Sequence, residues 1–339
     1  MERFKDKYGH LVTKAKLREI LNNYFPGDFG FYFEPVDAGY ENINVIVRVG
    51  NKKYVVRIYN DKQYGRVQRD EKHLMYELNF LNYLSENGIP VAHINKTNTG
   101  ALYTKIKIGE HDHFVVLFDF IYGKKIKKYN RGKIEDMAKW MAKIHLLTFD
   151  YKPKYIREKD GALNYYNWWL DATMKKQEVK DEDIRRAYLP IIAYYQQFIN
   201  PKSVMSYPIL QIHSDMHEGN LRFGHNKLSG IFDFDDTRHS IIPEDIGMFF
   251  HVLLKRGNKA SCQRKIETFF KAYENVRKLT PEEKRMSLYY ALEKRYQGRY
   301  FEAYHDEKDG KLTKERKQYY LDYTKRFSLI RSIIEEYSK

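Results

Sequence analysis

The feature that most limits the folds open to this chain is a change of periodicity near residue 122. Before it, FGFYFEPVDAGYENINVIVRVGNKKYVVRIYN alternates apolar and polar residues in three runs, the signature of strands with one buried face. The first run ends at Asp37-Ala38-Gly39, the second spans Ile43 to Val49 and the third Lys53 to Tyr59, with Gly50-Asn51 as a hairpin turn. A helix is expected over Leu11 to Phe25, stopped by Pro26-Gly27. A second is expected over Val67 to Glu86, closed by Asn87-Gly88 and Pro90. Two more strand-like runs follow, Ala101 to Ile108 and His113 to Ile121.

From about Arg131 onward the spacing is mostly helical. IEDMAKWMAKIHLL carries an expected apolar stripe of Met137, Met141, Ile144 and Leu146. Thr280-Pro281-Glu282-Glu283 is a capping box with proline at the first helical position. Strand character returns only around Leu210 to Asp236. The expected architecture is α+β and bilobal: an antiparallel lobe with one inserted helix over residues 1–122, and a mostly helical lobe over residues 123–339.

With 339 residues, 42% hydrophobic and 31% charged, the chain is long enough for two lobes with real cores. No run approaches the roughly 20 apolar residues of a membrane span, and MERFKDKYGH is charged from its second residue, so a soluble cytoplasmic protein is expected. The single cysteine, Cys262, excludes an intramolecular disulfide. A net charge of +15 raises nucleic acid as a partner, but the basic residues are dispersed and no nucleic-acid-binding signature accompanies them.

The chemistry concentrates in IHSDMHEGNLRF, residues Ile212 to Phe223, with the spacing HxDxxxxN: His213, Asp215 and Asn220. LRF then reads as a short strand, His225-Asn226-Lys227 as a turn and LSGIFDF as a strand delivering Asp233. That hairpin would bring Asn220 and Asp233 side by side. An amide oxygen and a carboxylate suit Mg²⁺, which takes few protein oxygens and completes its octahedron with water and substrate phosphates. Asp215 stands apart from that pair, where a carboxylate can accept the proton of an attacking hydroxyl. Strand alternation would place Asp235 on the side of Asp233 and Asp236 opposite. His213, Asp215 and His217 could alternatively line one face of a strand as a zinc site, but no matched fourth ligand accompanies them. Asp245 is read as a helix-start residue or a substrate contact.

IHSDMHEGNLRF followed by GIFDFDD resembles the HGDxHxGN and IDF/WxD segments of the aminoglycoside phosphotransferase and choline kinase-like superfamily, relatives of the protein kinases. The resemblance runs from about residue 30 to 255 and implies a protein-kinase-like fold, ATP and Mg²⁺ as cofactors, and a small-molecule hydroxyl as acceptor. It makes Asp215 the catalytic carboxylate and gives Asn220 and Asp233 to magnesium. VDAGYENINVIVRV resembles the nucleotide hairpin, where Gly39 would let the backbone approach the phosphates. YVVRIY places Arg57 as the phosphate-contacting cation, and YELNFLNYLSENGIPV offers Glu77 as its partner. FVVLFDFIYGKKI resembles the interlobe hinge, where backbone near Phe118 to Phe120 would meet adenine. His217, where protein kinases carry lysine, is read either as a γ-phosphate contact or as an exposed loop residue, and His213 as a buried brace of the loop.

Ser214 replaces the family's usual glycine, Met216 its leucine and Glu218 its proline, and position 214 is the one where glycine's φ freedom bears on backbone geometry. A sugar, homoserine or an amino alcohol is the expected acceptor. The alternatives are an aminoglycoside, to which a chain of +15 is not an obvious host, and a protein kinase or regulatory pseudokinase. The aromatic run Tyr165 to Trp169 is read as helical core rather than as a cage for a quaternary ammonium.

Overall fold

The computed structural model describes residues 3–5, 11–36, 42–59, 70–109, 111–155 and 178–337. Gly39 and the run Tyr165 to Trp169 lie outside the described residues. The chain divides into two compact units, Met1–Gly123 with Pro153–Arg157, and Lys124–Lys152 with Glu158–Lys339.

In the first unit, β1 (Arg3–Lys5) pairs with β2 (Leu11–Thr13), and α1 (Lys14–Leu21) follows directly. The expected helix over Leu11 to Phe25 is therefore shorter at both ends. Its first three residues hydrogen-bond as a strand, and Thr13 caps the helix by accepting from the Lys16 N–H. Then come β3 (Phe31–Val36), β4 (Ile43–Val49), β5 (Lys52–Ile58), α2 (Glu71–Glu86), β6 (Ile94–Asn95), β7 (Thr104–Ile108) and β8 (His111–Asp119). All but β1 and β2 join one antiparallel sheet, in the order β3-β4-β5-β8-β6, with β7 also on β8.

Alternation along β5 sends Tyr54, Val56 and Ile58 into a core with Val45, Val47, Val115, Leu117 and the Leu17, Ile20 and Leu21 face of α1. The same alternation puts Arg57 on the other face. Asp70 caps α2 by accepting from the His73 N–H, and Gly88 closes it at φ +73°, a conformation costly for residues with a Cβ.

The second unit is mostly helical: α3 (Arg131–Asp150), α4 (Glu182–Gln196), the single turn α5 (Pro201–Val204), α6 (Ile242–Leu253), α7 (Lys259–Glu274), α8 (Pro281–Lys308), α9 (Lys314–Thr324) and α10 (Phe327–Tyr337). Between α5 and α6 lie two small antiparallel pairs, β9 (Leu210–Ile212) with β12 (Arg238–Ser240), and β10 (Leu221–Gly224) with β11 (Lys227–Ile231). In α3, Met137, Met141 and Ile144 are buried but Leu146 is exposed. It lies off the i, i+4, i+7 row, where His145 and Thr148 are buried instead.

Helices α6 and α8 approach closely at Gly247, where a Cβ would stand 2.3 Å from the Cβ of Tyr290. That contact fixes the start of α6, which carries Glu244 and Asp245, against the helical body. Among the described residues, no helix is long and apolar enough to cross a membrane.

Candidate active site

The candidate catalytic loop lies in the second unit, between β9 and β10. Its first anchor is His213, fully buried, whose Nε2–H donates to the Phe232 carbonyl (2.8 Å) while Nδ1 accepts from the Asp215 N–H (3.1 Å). The two bonds set the tautomer and make this histidine a brace between the loop and the segment that carries Asp233.

Asn220 is the second anchor. Its Nδ2 donates to both the main-chain oxygen (3.0 Å) and Oδ2 (2.9 Å) of Asp215. With the amide nitrogen so engaged, Oδ1 is the atom left to serve as a ligand. The hairpin pairs Leu221 with Ile231, and the Phe232 N–H donates to the Asn220 carbonyl (2.9 Å), so Asp233 is the next residue after that contact. From α3, Asp136 accepts from the Leu228 N–H (2.7 Å) and pins the far strand of that hairpin.

The strand itself ends at Ile231, which corrects the expectation that a strand delivers Asp233. Asp233 adopts φ +64°, a left-handed conformation incompatible with a ladder, so strand alternation does not sort Asp233, Asp235 and Asp236 by side.

Ser214 has φ +69°, the region that favours glycine. What holds it there is Asp245, buried in the first turn of α6, whose Oδ1 accepts from the Ser214 N–H (2.6 Å) and Oδ2 from the His213 N–H (3.4 Å). The serine hydroxyl donates to the Asp236 carbonyl (2.6 Å) and accepts from Arg238 Nη1 (2.9 Å). Behind Asp245, His145 of α3 gives its Nε2 to Oδ2 (3.1 Å), with Nδ1 on the Tyr273 hydroxyl (2.7 Å). Burial pulls the Asp245 carboxyl upward, yet the hydrogen bond and charge of His145 and the Ser214 N–H hold it below the ordinary carboxylate range. Asp245 is thus a loop anchor. Nothing in PEDIG marks it as one, because its partners lie 31 and 100 residues away.

His217 is part-exposed, its Nδ1 accepting from the Gly219 N–H (2.9 Å) and its Nε2 lying 3.4 Å from Asp215 Oδ2. A Cβ on Gly219 would meet the imidazole at 2.5 Å, so only glycine leaves the ring room to turn toward Asp215. Burial works against the charged imidazole, but the hydrogen bond and charge of Asp215, joined by Glu218, raise its pKa above the ordinary value.

In the first unit, Arg57 pairs across the sheet with Asn44 and Val116. Tyr59 relates it to α2: the Arg57 guanidinium carbon is 5.0 Å from the Tyr59 ring centre, and the Tyr59 hydroxyl donates to Glu77 Oε1 (3.0 Å). Glu77 is buried. Phe118 is buried at the end of β8, opposite Val55 and Ile94. The Phe120 N–H donates to the Lys53 carbonyl (3.2 Å) and the Asp119 N–H to the His93 carbonyl (2.9 Å).

The sequence matches the phosphotransferase enzyme family (APH) over residues 33–289. The chain belongs to that family. Homoserine kinase of Agrobacterium fabrum (strain C58 / ATCC 33970) is 22% identical over 275 residues, 80% of this chain and 79% of that protein. Homoserine kinase of Polaromonas naphthalenivorans (strain CJ2) is 25% identical over 151 residues, 44% of this chain and 46% of that protein. Among solved structures, a microcompartment-associated aminopropanol kinase shares the fold at TM-score 0.67 and 14% identity, covering 95% of this chain and 97% of that one. The amicoumacin kinase hAmiN, solved with AMP-PNP, Ca²⁺ and Ami, does so at TM-score 0.65 and 17% identity, covering 94% and 92%. The fold of this phosphotransferase-family chain is therefore the kinase-like one that its motifs imply.

Proposed function

We propose that the protein is an ATP- and Mg²⁺-dependent phosphotransferase acting on a hydroxyl of a small molecule. The observation that supports this reading is the clamp of Asn220 Nδ2 on Asp215, which ties the two loop residues together and leaves the amide oxygen of Asn220 open to a ligand. Among the described residues no three His, Cys, Asp or Glu side chains form a group suited to a metal ion. An amide oxygen and one carboxylate instead fit an ion whose remaining ligands are water and nucleotide phosphates. Such an ion would offset charge on the transferring phosphoryl group.

Asp215 accepts the proton of the acceptor hydroxyl as its oxygen attacks the γ-phosphorus and ADP leaves. His217, sharing charge with Asp215, holds that carboxylate's orientation or meets the γ-phosphate. Arg57 contacts the nucleotide phosphates, with Glu77 and Tyr59 positioning it, and Gly39 permits close approach of the backbone. Because the N–H groups of Asp119 and Phe120 are already engaged, adenine at the Phe118 to Phe120 hinge would use carbonyls there or the residues just beyond.

The relatives' names frame the acceptor: homoserine kinases in sequence, and an aminopropanol kinase and antibiotic kinases in fold. A coupled ADP-release screen of homoserine, amino alcohols, sugars and aminoglycosides tests the reading. At least one acceptor should raise turnover above the water background, and Asp215→Asn and Asp233→Ala should each abolish that gain, by about 10²–10⁴-fold for Asp215. Full turnover in either variant would sink the assignment.

A further inference from the structure

Beside the candidate catalytic loop stands a group of basic residues of which the chemistry above uses only His217. Lys255, just past α6, bonds Glu218 through Nζ to Oε1 (3.1 Å), at the turn that contains Asn220. His251 lies one turn back in α6, and Arg326, just past α9, holds the end of that helix, its Nε donating to the Leu254 carbonyl (3.0 Å); one turn before Arg326, the Tyr323 ring faces both Arg295 and Arg299, with ring centre to guanidinium carbon 4.1 and 5.1 Å. His217 in turn contacts Asp215, so the group reaches the catalytic carboxylate. Its rim residues His217, His251, Lys255 and Arg299 are half-buried.

Arg295 is different, with only 3% of its surface exposed. Its Nε and Nη1 are buried with no hydrogen-bond partner among the described residues, and it forms no ion pair among them. The guanidinium carbon lies 4.1 Å from the ring centre of Tyr323 and 5.5 Å from that of Tyr296. Ring faces attract a cation but do not replace the hydrogen bonds that its N–H groups give up on burial. A buried guanidinium with idle donors is an incomplete site, and an anion completes it.

We propose that Arg295 is the floor of an anion-binding subsite beside the catalytic loop, and that the phosphoryl acceptor is a hydroxy acid whose carboxylate binds there. The proposal rests on the phosphotransferase reading and specifies its substrate class.

The charge count favours a monoanion. Lys255 is paired with Glu218, Arg299 with Glu302 and His217 with Asp215. Burial and the positive charges of Lys255, Arg295 and Arg299 push the His251 imidazole well below its ordinary pKa, so it is neutral at pH 7 and its buried Nδ1 is a further polar atom without a partner among the described residues. Arg295 is the charged member of this group with no ion-pair partner among the described residues, and a single guanidinium suits a carboxylate better than a phosphate dianion. It also sets the site against polycationic acceptors.

Matched acceptors test this. L-homoserine, L-threonine and D-glycerate are each compared with the molecule lacking only the carboxylate: 3-aminopropan-1-ol, 1-aminopropan-2-ol and ethane-1,2-diol. In at least one pair the hydroxy acid should show a KM lower by about tenfold or more, and Arg295→Met should erase that advantage mainly by raising the acid's KM, with no such rise for the carboxylate-free partner. Arg295→Lys should restore part of it. Binding followed by thermal shift, without ATP, should give the same ranking. Decarboxylated partners that bind as well as the acids, or an advantage that survives in a folded Arg295→Met, would overturn the proposal, as would glycerol 3-phosphate binding better than every hydroxy acid. Arg295-dependent binding of a hydroxy acid without ADP release from any acceptor would support the subsite and sink the phosphotransferase reading instead.

Discussion

The two units hold their candidate residues in unlike ways. In the second, the catalytic loop is fixed by buried polar groups from four separate stretches: Asp136 and His145 of α3, Phe232, Arg238, and Asp245 of α6. Ser214 and Asp233, like His225 at the turn between them, sit in left-handed backbone that relaxes unless the surroundings enforce it. In the first unit, Arg57 rides on a regular strand with its guanidinium over the Tyr59 ring, and the Tyr59 hydroxyl reaches Glu77 of α2. The difference follows from the tasks proposed for them. A carboxylate that orients an attacking oxygen must be placed closely, because small misplacements are costly in rate. A cation that attracts phosphates acts through a longer-ranged charge and tolerates more play.

The contrast predicts where a single polar substitution does most damage. Asp245→Asn keeps the shape but replaces an all-acceptor group by one whose NH₂ must face a donor, either His145 Nε2–H or a loop N–H. Loss of roughly 3–4 kcal/mol of unfolding free energy is expected, as for breaking a buried charged contact. Turnover should fall with it at temperatures where the variant is still folded, because Ser214 is released from φ +69°. Chemical denaturation and kcat measured on the same preparation check both; an unchanged midpoint would refute the view that Asp245 anchors the loop.

How much of this was legible beforehand divides along the same line. Local features were readable because they rest on local physics: the Gly50-Asn51 hairpin, the Gly88 helix end, the Thr280-Glu283 capping box and the short hairpin from Asn220 to Asp233. The HxDxxxxN spacing puts Asp215 and Asn220 on one loop, but it leaves Asp215 apart, and the hydrogen bond from Asn220 Nδ2 to Asp215 Oδ2 is not legible in it. The anchors were not readable. Asp245 looks like any acidic residue in a first helical turn, and His145 looks like one more residue on the buried face of α3, because which buried polar groups meet depends on how distant elements pack. The left-handed Asp233 was missed because LSGIFDF continues a strand pattern that its own backbone breaks. Ser214 could be suspected only through the glycine that the family usually has there.

Buried carboxylates also make the second unit sensitive to acid. Glu244 accepts from Arg238, Ser240 and Lys294. Burial works to raise its carboxyl, but those cations and the serine bring it from an ordinary 4.5 to about 2. Its folded value lies below its unfolded one, so its contribution is full above about pH 4.5 and is lost as pH falls through about 2. The contribution amounts to roughly 3 kcal/mol. Unfolding free energy measured from pH 5 to pH 2 should therefore fall less steeply in Glu244→Gln than in the parent chain, although the variant starts lower. Parallel slopes would show that the Arg238–Glu244–Lys294 cluster is not what acid dissolves.

The smallest effect belongs to the first unit. Tyr59→Phe removes only the hydroxyl that reaches Glu77 and keeps the ring under Arg57. About 1–2 kcal/mol of stability is expected to go, the usual cost of one buried hydrogen bond to a carboxylate. If Tyr59 also keeps Arg57 in place for the nucleotide, KM for ATP should rise about three- to tenfold while kcat at saturating ATP stays close to the parent value, since the catalytic loop is untouched. Arg57→Ala should raise the same KM further, and adding Tyr59→Phe to it should then change KM little, because the tyrosine acts through the arginine. Additive effects of the two substitutions would instead make Tyr59 a support for α2 alone, and would leave Arg57 positioned by the strand that carries it.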